Sequence, residues 1–247
     1  DKDKARPQRT REQVLADART YVNQVWKVLD PARTEIATND RWLAPLTFAE
    51  VIDLASHFTV QQFLARDNFC TRLAQGDAIW LHEFLYGLMQ AYDAVTLRAD
   101  VQVGGTEQLF NLMSGRKLME ARGLRPQVCL TLPILVGTDG RLRMSKSLGN
   151  AIGIDEPPEV QYGKVMSLPD AVLGDYLRLV SRWTPERIDA LLAAVRDGRV
   201  HPRDAKMQLA WEMVDSLNPP GAADSAQEQF CRIHQERQMP EEMPSFP

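Results

Sequence analysis

The chain has 247 residues, of which 44% are hydrophobic and 25% are charged, so it can bury a sizeable core in one large domain or two smaller ones. Its formal net charge of −4 excludes a generally basic nucleic-acid binder, and any RNA contact must come from a local patch or another domain. No apolar run could span a bilayer, and the charged start lacks the apolar core of a signal peptide, which predicts a cytoplasmic protein.

The three cysteines do not predict a metal site or a disulfide framework. Cys70, Cys129 and Cys231 are scattered singly along the chain. Zinc sites use closely spaced pairs, and an odd number of cysteines cannot all pair within one chain. The cysteines are therefore predicted to be ordinary thiols, and we expect no dedicated protein metal site.

The chain begins with a basic segment. Cations outnumber acids in the first eleven residues, where they are Lys2, Lys4, Arg6, Arg9 and Arg11. On charge alone this segment is either a flexible arm for a polyanion or a frayed, solvated terminus.

Capping boxes mark the beginnings of three predicted helices, because in each a threonine is followed three residues later by glutamate or glutamine. The pairs are Thr10 with Gln13, Thr47 with Glu50, and Thr59 with Gln62. The first helix is predicted to run to about residue 29, and the other two are short. A longer helix is predicted over about 78–97.

A polar stripe runs through this longer helix. Tyr86, Gln90 and Asp93 stand at i, i+4 and i+7, so they share one face of a helix that is otherwise rich in apolar residues. A buried amide and carboxylate need partners, either the polar groups of a ligand or a local hydrogen-bond network. The alternative is an exposed polar face opposite an apolar one.

Two strands with glycine turns follow. A β-like run at 100–103 leads through Gly104 and Gly105 into a helix predicted over 107–122, and a second apolar run at 130–136 leads into another glycine-bounded loop. Strands that alternate with helices imply a parallel sheet, whose ligands gather at the carboxyl ends of the strands. Both glycine turns lie at such ends.

The second loop, residues 140–150, combines cations with hydroxyl groups. Lys146 offers a compact charge, Arg143 a planar fork of donors, and Ser145 and Ser147 short hydrogen-bonding groups. Such a set suits a triphosphate that loses pyrophosphate. The alternative is a solvated basic turn.

Beyond residue 154 the pattern is helical only. Helices are predicted over 169–183, 185–195 and 202–217, and a boundary follows at Pro219-Pro220-Gly221. One more helix is predicted over 222–236, before a proline-rich end that is typical of a linker.

These motifs resemble those of a known family. Met144-Ser145-Lys146-Ser147 resembles the Lys-Met-Ser-Lys-Ser signature of the class I aminoacyl-tRNA synthetases, with Arg143 in place of the first lysine. The helix motif Tyr86-x3-Gln90-x2-Asp93 and the run from Gly104 to Gln108 resemble those of the bacterial tyrosyl-tRNA synthetases. Glu107 stands where that family has aspartate.

The resemblance implies a role for each motif. Tyr86 and Gln90 would bind the ammonium group of tyrosine, Asp93 would accept a hydrogen bond from the phenol, and Gln102 and Gln108 would complete the pocket. The implied ATP or adenylate site is Gly104, Gly105, Glu107, Met144, Ser145, Lys146 and Ser147. Lys146 and Arg143, with Lys2 and Arg6 of the basic arm, would act on the pyrophosphate. The implied partners are tyrosine, ATP with Mg²⁺, tRNA-Tyr and a second copy of the chain, with no membrane.

The implied fold is α/β: the C-terminal part of a Rossmann-like parallel-sheet domain with a helical insertion, followed by an all-α domain. We expect the partial catalytic domain at 1–152, with a dimerisation insertion at about 46–97, a helical domain at 153–218 and a linker at 219–247.

The first signature of the family, His-x-Gly-His, is not found in this chain. Structural or surface roles are predicted for its four histidines, His57, His82, His201 and His234. We therefore expect a fragment, inactive alone, that lacks the N-terminal part and the C-terminal tRNA-binding domain. The alternatives are a tryptophan-specific relative and a non-catalytic RNA-binding or dimerising fragment.

Overall fold

The computed structural model describes residues 9–234, apart from the side chains of Asp67 and Lys146. The predictions for Lys2, Arg6 and the chain beyond residue 234 lie outside these residues. The chain divides into two compact units. The described part of the first unit comprises residues 9–14 and 35–134, and that of the second comprises 15–34 and 135–234. None of the helices described is both long enough and apolar enough to cross a membrane.

In the part of the chain that the structure describes, six α-helices precede the first strand. They are α1 (Arg11–Val25), α2 (Asp40–Leu43), α3 (Phe48–Ser56), α4 (Val60–Leu64), α5 (Asp67–Gln75) and α6 (Leu81–Leu97). All three predicted capping boxes are confirmed by reciprocal hydrogen bonds. The helix α6 begins three residues later than predicted because the Glu83 carboxylate accepts a hydrogen bond from the main-chain N–H of Trp80 and so caps the helix there. The short helices α2 and α5 were not predicted.

Among residues 9–234 the sheet has two parallel strands, β1 (Val101–Gly105) and β2 (Val128–Leu132), joined through the helix α7 (Leu109–Ala121). This βαβ unit confirms the predicted parallel arrangement. The second strand ends earlier than predicted because Pro133 has no N–H to extend the ladder. Val136 instead forms an antiparallel bridge with Arg143.

In the first unit, α6 packs on α7, and α7 packs on both strands. Gly87 permits the close approach of neighbouring side chains to α6, since a Cβ atom there would lie only 2.7 Å from Cε1 of Phe63. Apolar side chains of both strands remain exposed, namely Val101, Val103, Val128, Leu130 and Leu132. The sheet therefore keeps a large apolar area in contact with solvent.

The second unit is helical. Its helices after the basic loop are α8 (Pro158–Met166), α9 (Leu173–Val180), α10 (Pro185–Arg196), α11 (Pro202–Leu217) and α12 (Ala222–His234). They surround a buried core that includes Tyr162, Tyr176, Leu177, Leu209 and Val214. Sequence reasoning missed α8, whose first turn begins at a proline. The helix predicted over 169–183 is shorter, because Ser181 adopts an extended conformation.

Together the parallel strand pair and the helical second unit confirm the predicted fold class. The predicted domain boundaries stay predictions. The compact units divide the chain between Ile134 and Leu135, and they assign residues 15–34 to the second unit.

Candidate functional site

The polar stripe lies beside the buried face of α6. Tyr86 is 54% exposed, while Gln90 and Asp93 are half-buried. The buried side of the helix carries Gly87, Leu88, Ala91 and Ala94. The stripe is thus open to a ligand at Tyr86 and partly enclosed at Asp93.

Asp93 has partners that sequence reasoning missed. Its Oδ1 accepts a hydrogen bond of 2.7 Å from Nε1 of Trp42, and its Oδ2 accepts one of 3.2 Å from Nδ2 of Asn39. Both donors come from the region of α2, which had no predicted role. A half-buried carboxylate requires hydrogen-bond donors, and this requirement could have prompted a search of the sequence for the partners of Asp93. Because a carboxylate has about four lone-pair sites, Asp93 keeps capacity for a further donor.

A buried amide holds Gln102. Gln102 lies on β1 and accepts a hydrogen bond through Oε1 from Nε2 of Gln127, which is only 1% exposed. Arg116 donates to the main-chain oxygen of Gln127 and fixes it from the other side. Gln127 is a second residue that sequence reasoning missed.

The glycine pair ends β1 and is followed by a 3₁₀ turn, Thr106–Gln108, so the α-helix begins at Leu109 and not at Glu107. Gly105 has an extended backbone, with φ of −71°. Glycine is needed there for space, because a Cβ atom would overlap the Glu107 carboxylate, which folds back over Gly105. The exposed Glu107 therefore lies directly beside the glycine pair.

Asn111 links this turn to α6. Asn111 is 1% exposed, and its Nδ2 donates a 3.1 Å hydrogen bond to Oε1 of Gln108. A Cβ atom on Gly87 would lie 3.6 Å from Oδ1 of Asn111, so this amide sits against the helix next to Tyr86. Within the described residues, no hydrogen bond joins Gln102 or Gln108 to Asp93.

The basic loop belongs to the second unit and forms a hairpin. The main-chain N–H of Gly137 donates to the oxygen of Leu142 at 2.7 Å, and Gly140 makes the turn with a φ of +68°. The Tyr176 hydroxyl donates to the main-chain oxygen of Val136 at 2.6 Å. Burial raises the pKa of Tyr176 to about 12, so this anchor stays protonated at neutral pH.

The side chains of the loop separate into anchors and exposed groups. Met144 is half-buried and packs against the core of the second unit, whereas Arg143 is exposed. The hydroxyls of Ser145 and Ser147 lie 2.8 Å apart, next to a 3₁₀ turn at Lys146–Leu148. The loop thus presents charge and hydroxyl groups to solvent from a fixed base.

No three acid, histidine or cysteine side chains among residues 9–234 come together as a candidate metal site. Within the same part of the chain, all three cysteines are free thiols.

Comparison with known proteins identifies relatives. The profile of the family described as tRNA synthetases class I (W and Y) matches residues 1–235. The chain is 46% identical to the tyrosine–tRNA ligase of Thermotoga maritima over 243 residues, which are 98% of this chain and 61% of that protein. It is 48% identical to the tyrosine–tRNA ligase of Moorella thermoacetica over 245 residues, which are 99% of this chain and 59% of that protein. The chain therefore spans about 60% of the length of these relatives.

Solved structures share the fold at lower sequence identity. A C-terminally truncated mitochondrial tyrosyl-tRNA synthetase of Aspergillus nidulans matches with a TM-score of 0.71 at 22% identity, covering 94% of this chain and 71% of that one. The tyrosyl-tRNA synthetase of Archaeoglobus fulgidus, complexed with L-tyrosine, matches with a TM-score of 0.64 at 24% identity, covering 87% of this chain and 74% of that one.

Proposed function

Since this chain belongs to the family of tRNA synthetases class I (W and Y), we propose that the protein acts as a tyrosine–tRNA ligase. The observation that carries the proposal is the half-buried Asp93 carboxylate, fixed by Trp42 and Asn39 with lone pairs to spare. A phenol hydroxyl is the donor that this acceptor suits. The names of the 46–48% identical relatives support the same activity.

Substrate choice follows from the cost of leaving Asp93 short of a donor. A tyrosine phenol donates to the carboxylate, whereas phenylalanine offers no donor and leaves the remaining lone pairs of Asp93 unsatisfied. Tyr86, two turns before Asp93 on α6, and Gln90, one turn before it, would accept from the ammonium group of the amino acid. Gln102 and Gln108 close the pocket with amides that Gln127 and Asn111 hold in place.

The proposed first step makes tyrosyl-adenylate. An oxygen of the tyrosine carboxylate attacks the α-phosphorus of ATP, the bond from that phosphorus to the bridging oxygen breaks, and pyrophosphate leaves with the electron pair. The protein supplies no nucleophile. Lys146 and Arg143, with the basic arm at Lys2 and Arg6, would stabilise the charge that develops on the leaving pyrophosphate. Glu107 and the glycine pair would hold the nucleotide.

In the second step a ribose hydroxyl of tRNA-Tyr attacks the carbonyl carbon of the adenylate, and AMP leaves. Magnesium would accompany ATP by binding its phosphates, since Mg²⁺ keeps several waters and prefers such oxygen ligands. The cytoplasm is the proposed compartment.

A homodimer is the proposed assembly. Large apolar side chains are exposed in the predicted dimerisation insertion, at Phe48, Ile52, Val60 and Leu81. Exposed apolar side chains of this size support an interface between subunits.

The proposal is tested by tyrosine-dependent exchange of pyrophosphate into ATP, measured with the full-length protein that the gene encodes. We expect exchange with tyrosine and little with tryptophan or phenylalanine. Exchange that depends on tryptophan would favour the tryptophan-specific relative. A folded protein with no amino-acid-dependent exchange would favour the non-catalytic alternative.

A further inference from the structure

The base of the basic loop contains a buried amide, Asn150, with no role in the chemistry described above. Asn150 is only 5% exposed. Its Oδ1 accepts a 2.8 Å hydrogen bond from the main-chain N–H of Ser145, and its Nδ2 donates to the main-chain oxygen of Arg143 at 3.2 Å. One side chain thereby fixes the backbone on both sides of Met144.

Asp139 holds the opposite side of the same hairpin. Its Oδ1 accepts from the main-chain N–H groups of Arg141 at 2.6 Å and Leu142 at 2.7 Å, and its Oδ2 accepts from Nδ2 of Asn150. The hydrogen bond from Asn150, followed by those from Leu142 and Arg141, lowers the pKa of Asp139. Its carboxylate is therefore the form that binds these donors at neutral pH.

Main-chain contacts complete the connection. The N–H of Thr138 donates to the main-chain oxygen of Asn150 at 2.9 Å. A Cβ atom on Gly137 would overlap the Asn150 side chain, so the two segments meet there without room for a larger residue. The segments before and after the loop are thus joined by side-chain and main-chain hydrogen bonds.

We propose that Asp139 and Asn150 are positioning residues, which hold the backbone of the basic loop in the geometry required for pyrophosphate release. This inference rests on the proposed function. The hydrogen bonds from the pair to residues 141–145 all go to main-chain atoms, and the Arg143 side chain is exposed. The pair fixes the backbone positions from which the cationic side chains of the loop extend. Small misplacements of such catalytic groups lower the reaction rate by large factors.

Swapping the two side chains between positions 139 and 150 tests whether the hydrogen bonds between them are needed for activity. Asn150→Asp places two carboxylates face to face. Asp139→Asn leaves one oxygen to accept, so its NH₂ group must face a donor, either Nδ2 of Asn150 or the N–H groups of Arg141 and Leu142. In the double variant D139N/N150D, the amide at 139 can again donate to the carboxylate at 150, which still accepts from the N–H of Ser145. Asp197→Asn, at an exposed aspartate after α10, is the matched control.

For tyrosine-dependent pyrophosphate exchange we expect kcat to fall about 10- to 100-fold in N150D, with KM for tyrosine unchanged within about twofold. The double variant should recover part of this loss, because residue 150 still cannot donate to the main-chain oxygen of Arg143, and D197N should behave as wild type. Unchanged kcat in folded N150D, or a double variant no better than the single ones, would overturn the proposal.

Limited trypsin digestion separates this inference from the proposed function, because the loop offers cleavage sites at Arg141, Arg143 and Lys146. Without any substrate, N150D should be cut in the loop at least about 10-fold faster than wild type, and the double variant should be protected again. Equal cutting rates in all variants would refute the positioning role, whatever the protein activates. Protection restored without any tyrosine-dependent exchange would instead count against the proposed function alone.

Discussion

The two units differ in how completely they bury the apolar side chains of their helices and strands. In the second unit, helices α8, α9 and α11 bury two tyrosines and several leucines almost completely. In the first unit, both strands of the sheet leave apolar side chains exposed. Two-stranded sheets are marginal unless further strands or helices pack on them. The proposed amino-acid pocket therefore lies on the less covered unit, and the basic loop is anchored to the better packed one.

A matched pair of leucine truncations gives the largest expected effect. Leu209→Ala removes a fully buried side chain from α11 and should lower the free energy of opening of the second unit by about 2–5 kcal/mol. Leu132→Ala, at a leucine 49% exposed on β2, should cost less than about 1 kcal/mol. Hydrogen exchange of amides within each unit, read by mass spectrometry, measures both values.

Equal losses of stability in Leu209→Ala and Leu132→Ala would contradict the difference in burial between the two units. In a longer protein that adds strands to this sheet, the cost of Leu132→Ala should rise towards that of Leu209→Ala. A cost that stays small there would mean that the exposed face of the sheet remains uncovered.

The second test compares two ion pairs. Glu212 is buried in the second unit and accepts from Nε of Arg182 at 2.7 Å and from Nε1 of Trp183 at 3.0 Å. Glu83 of the first unit pairs with Arg72 at 2.6 Å but is more exposed. We expect Glu212→Gln to cost about 1.5–3 kcal/mol, because it turns the hydrogens of a buried amide towards the N–H groups of Arg182 and Trp183. Glu83→Gln should cost less than about 1 kcal/mol.

The pH dependence of stability shows whether the Glu212 carboxylate stabilises the second unit. Burial alone would raise the pKa of Glu212, but hydrogen bonds from Arg182 and Trp183 outweigh it and lower the pKa overall. Its stabilisation is therefore present above the ordinary glutamate pKa of about 4.3 and is lost as pH falls below it. In acid, the stability gap between wild type and Glu212→Gln should close. A gap that widened would contradict the assignment.

The smallest effect concerns the first unit alone. Trp42→Phe removes the N–H that donates to Asp93 but keeps an aromatic ring. We expect KM for tyrosine to rise about fivefold, the equivalent of roughly 1 kcal/mol, with thermal stability little changed. Trp80→Phe is a control, since this tryptophan lies at the start of α6 and is exposed. An identical KM in both variants would remove Trp42 from the pocket.

Local signals predicted the local structure well. Capping boxes at Thr10, Thr47 and Thr59 fixed three helix starts, because the reciprocal hydrogen bonds involve only neighbours in sequence. The parallel strand pair also followed from the strand–helix–strand order. The helix α8 was missed because Pro157 and Pro158 suggest a loop, although proline is tolerated in the first turn of a helix.

Contacts between distant segments could not be predicted in this way. Trp42 and Asn39 reach Asp93 across about fifty residues of sequence, and no periodicity records such a contact. The pairing of Gln127 with Gln102 likewise depends on strand register. Asn150 and Asp139 are close in sequence, yet their role depends on the hairpin that Val136 and Arg143 form. Sequence motifs predicted the candidate residues, whereas the partners that hold them in place were identified only from the fold.

The central claim is a division of labour between amino-acid choice at Asp93 and pyrophosphate release at Lys146. Its most direct test is the exchange of pyrophosphate into ATP with tyrosine and with phenylalanine, in Asp93→Ala and Lys146→Ala. We predict that Asp93→Ala lowers the preference for tyrosine by about 10- to 100-fold. Lys146→Ala should lower kcat by about 100- to 1000-fold with the preference unchanged. An unchanged preference in folded Asp93→Ala, or unchanged kcat in Lys146→Ala, would contradict the account.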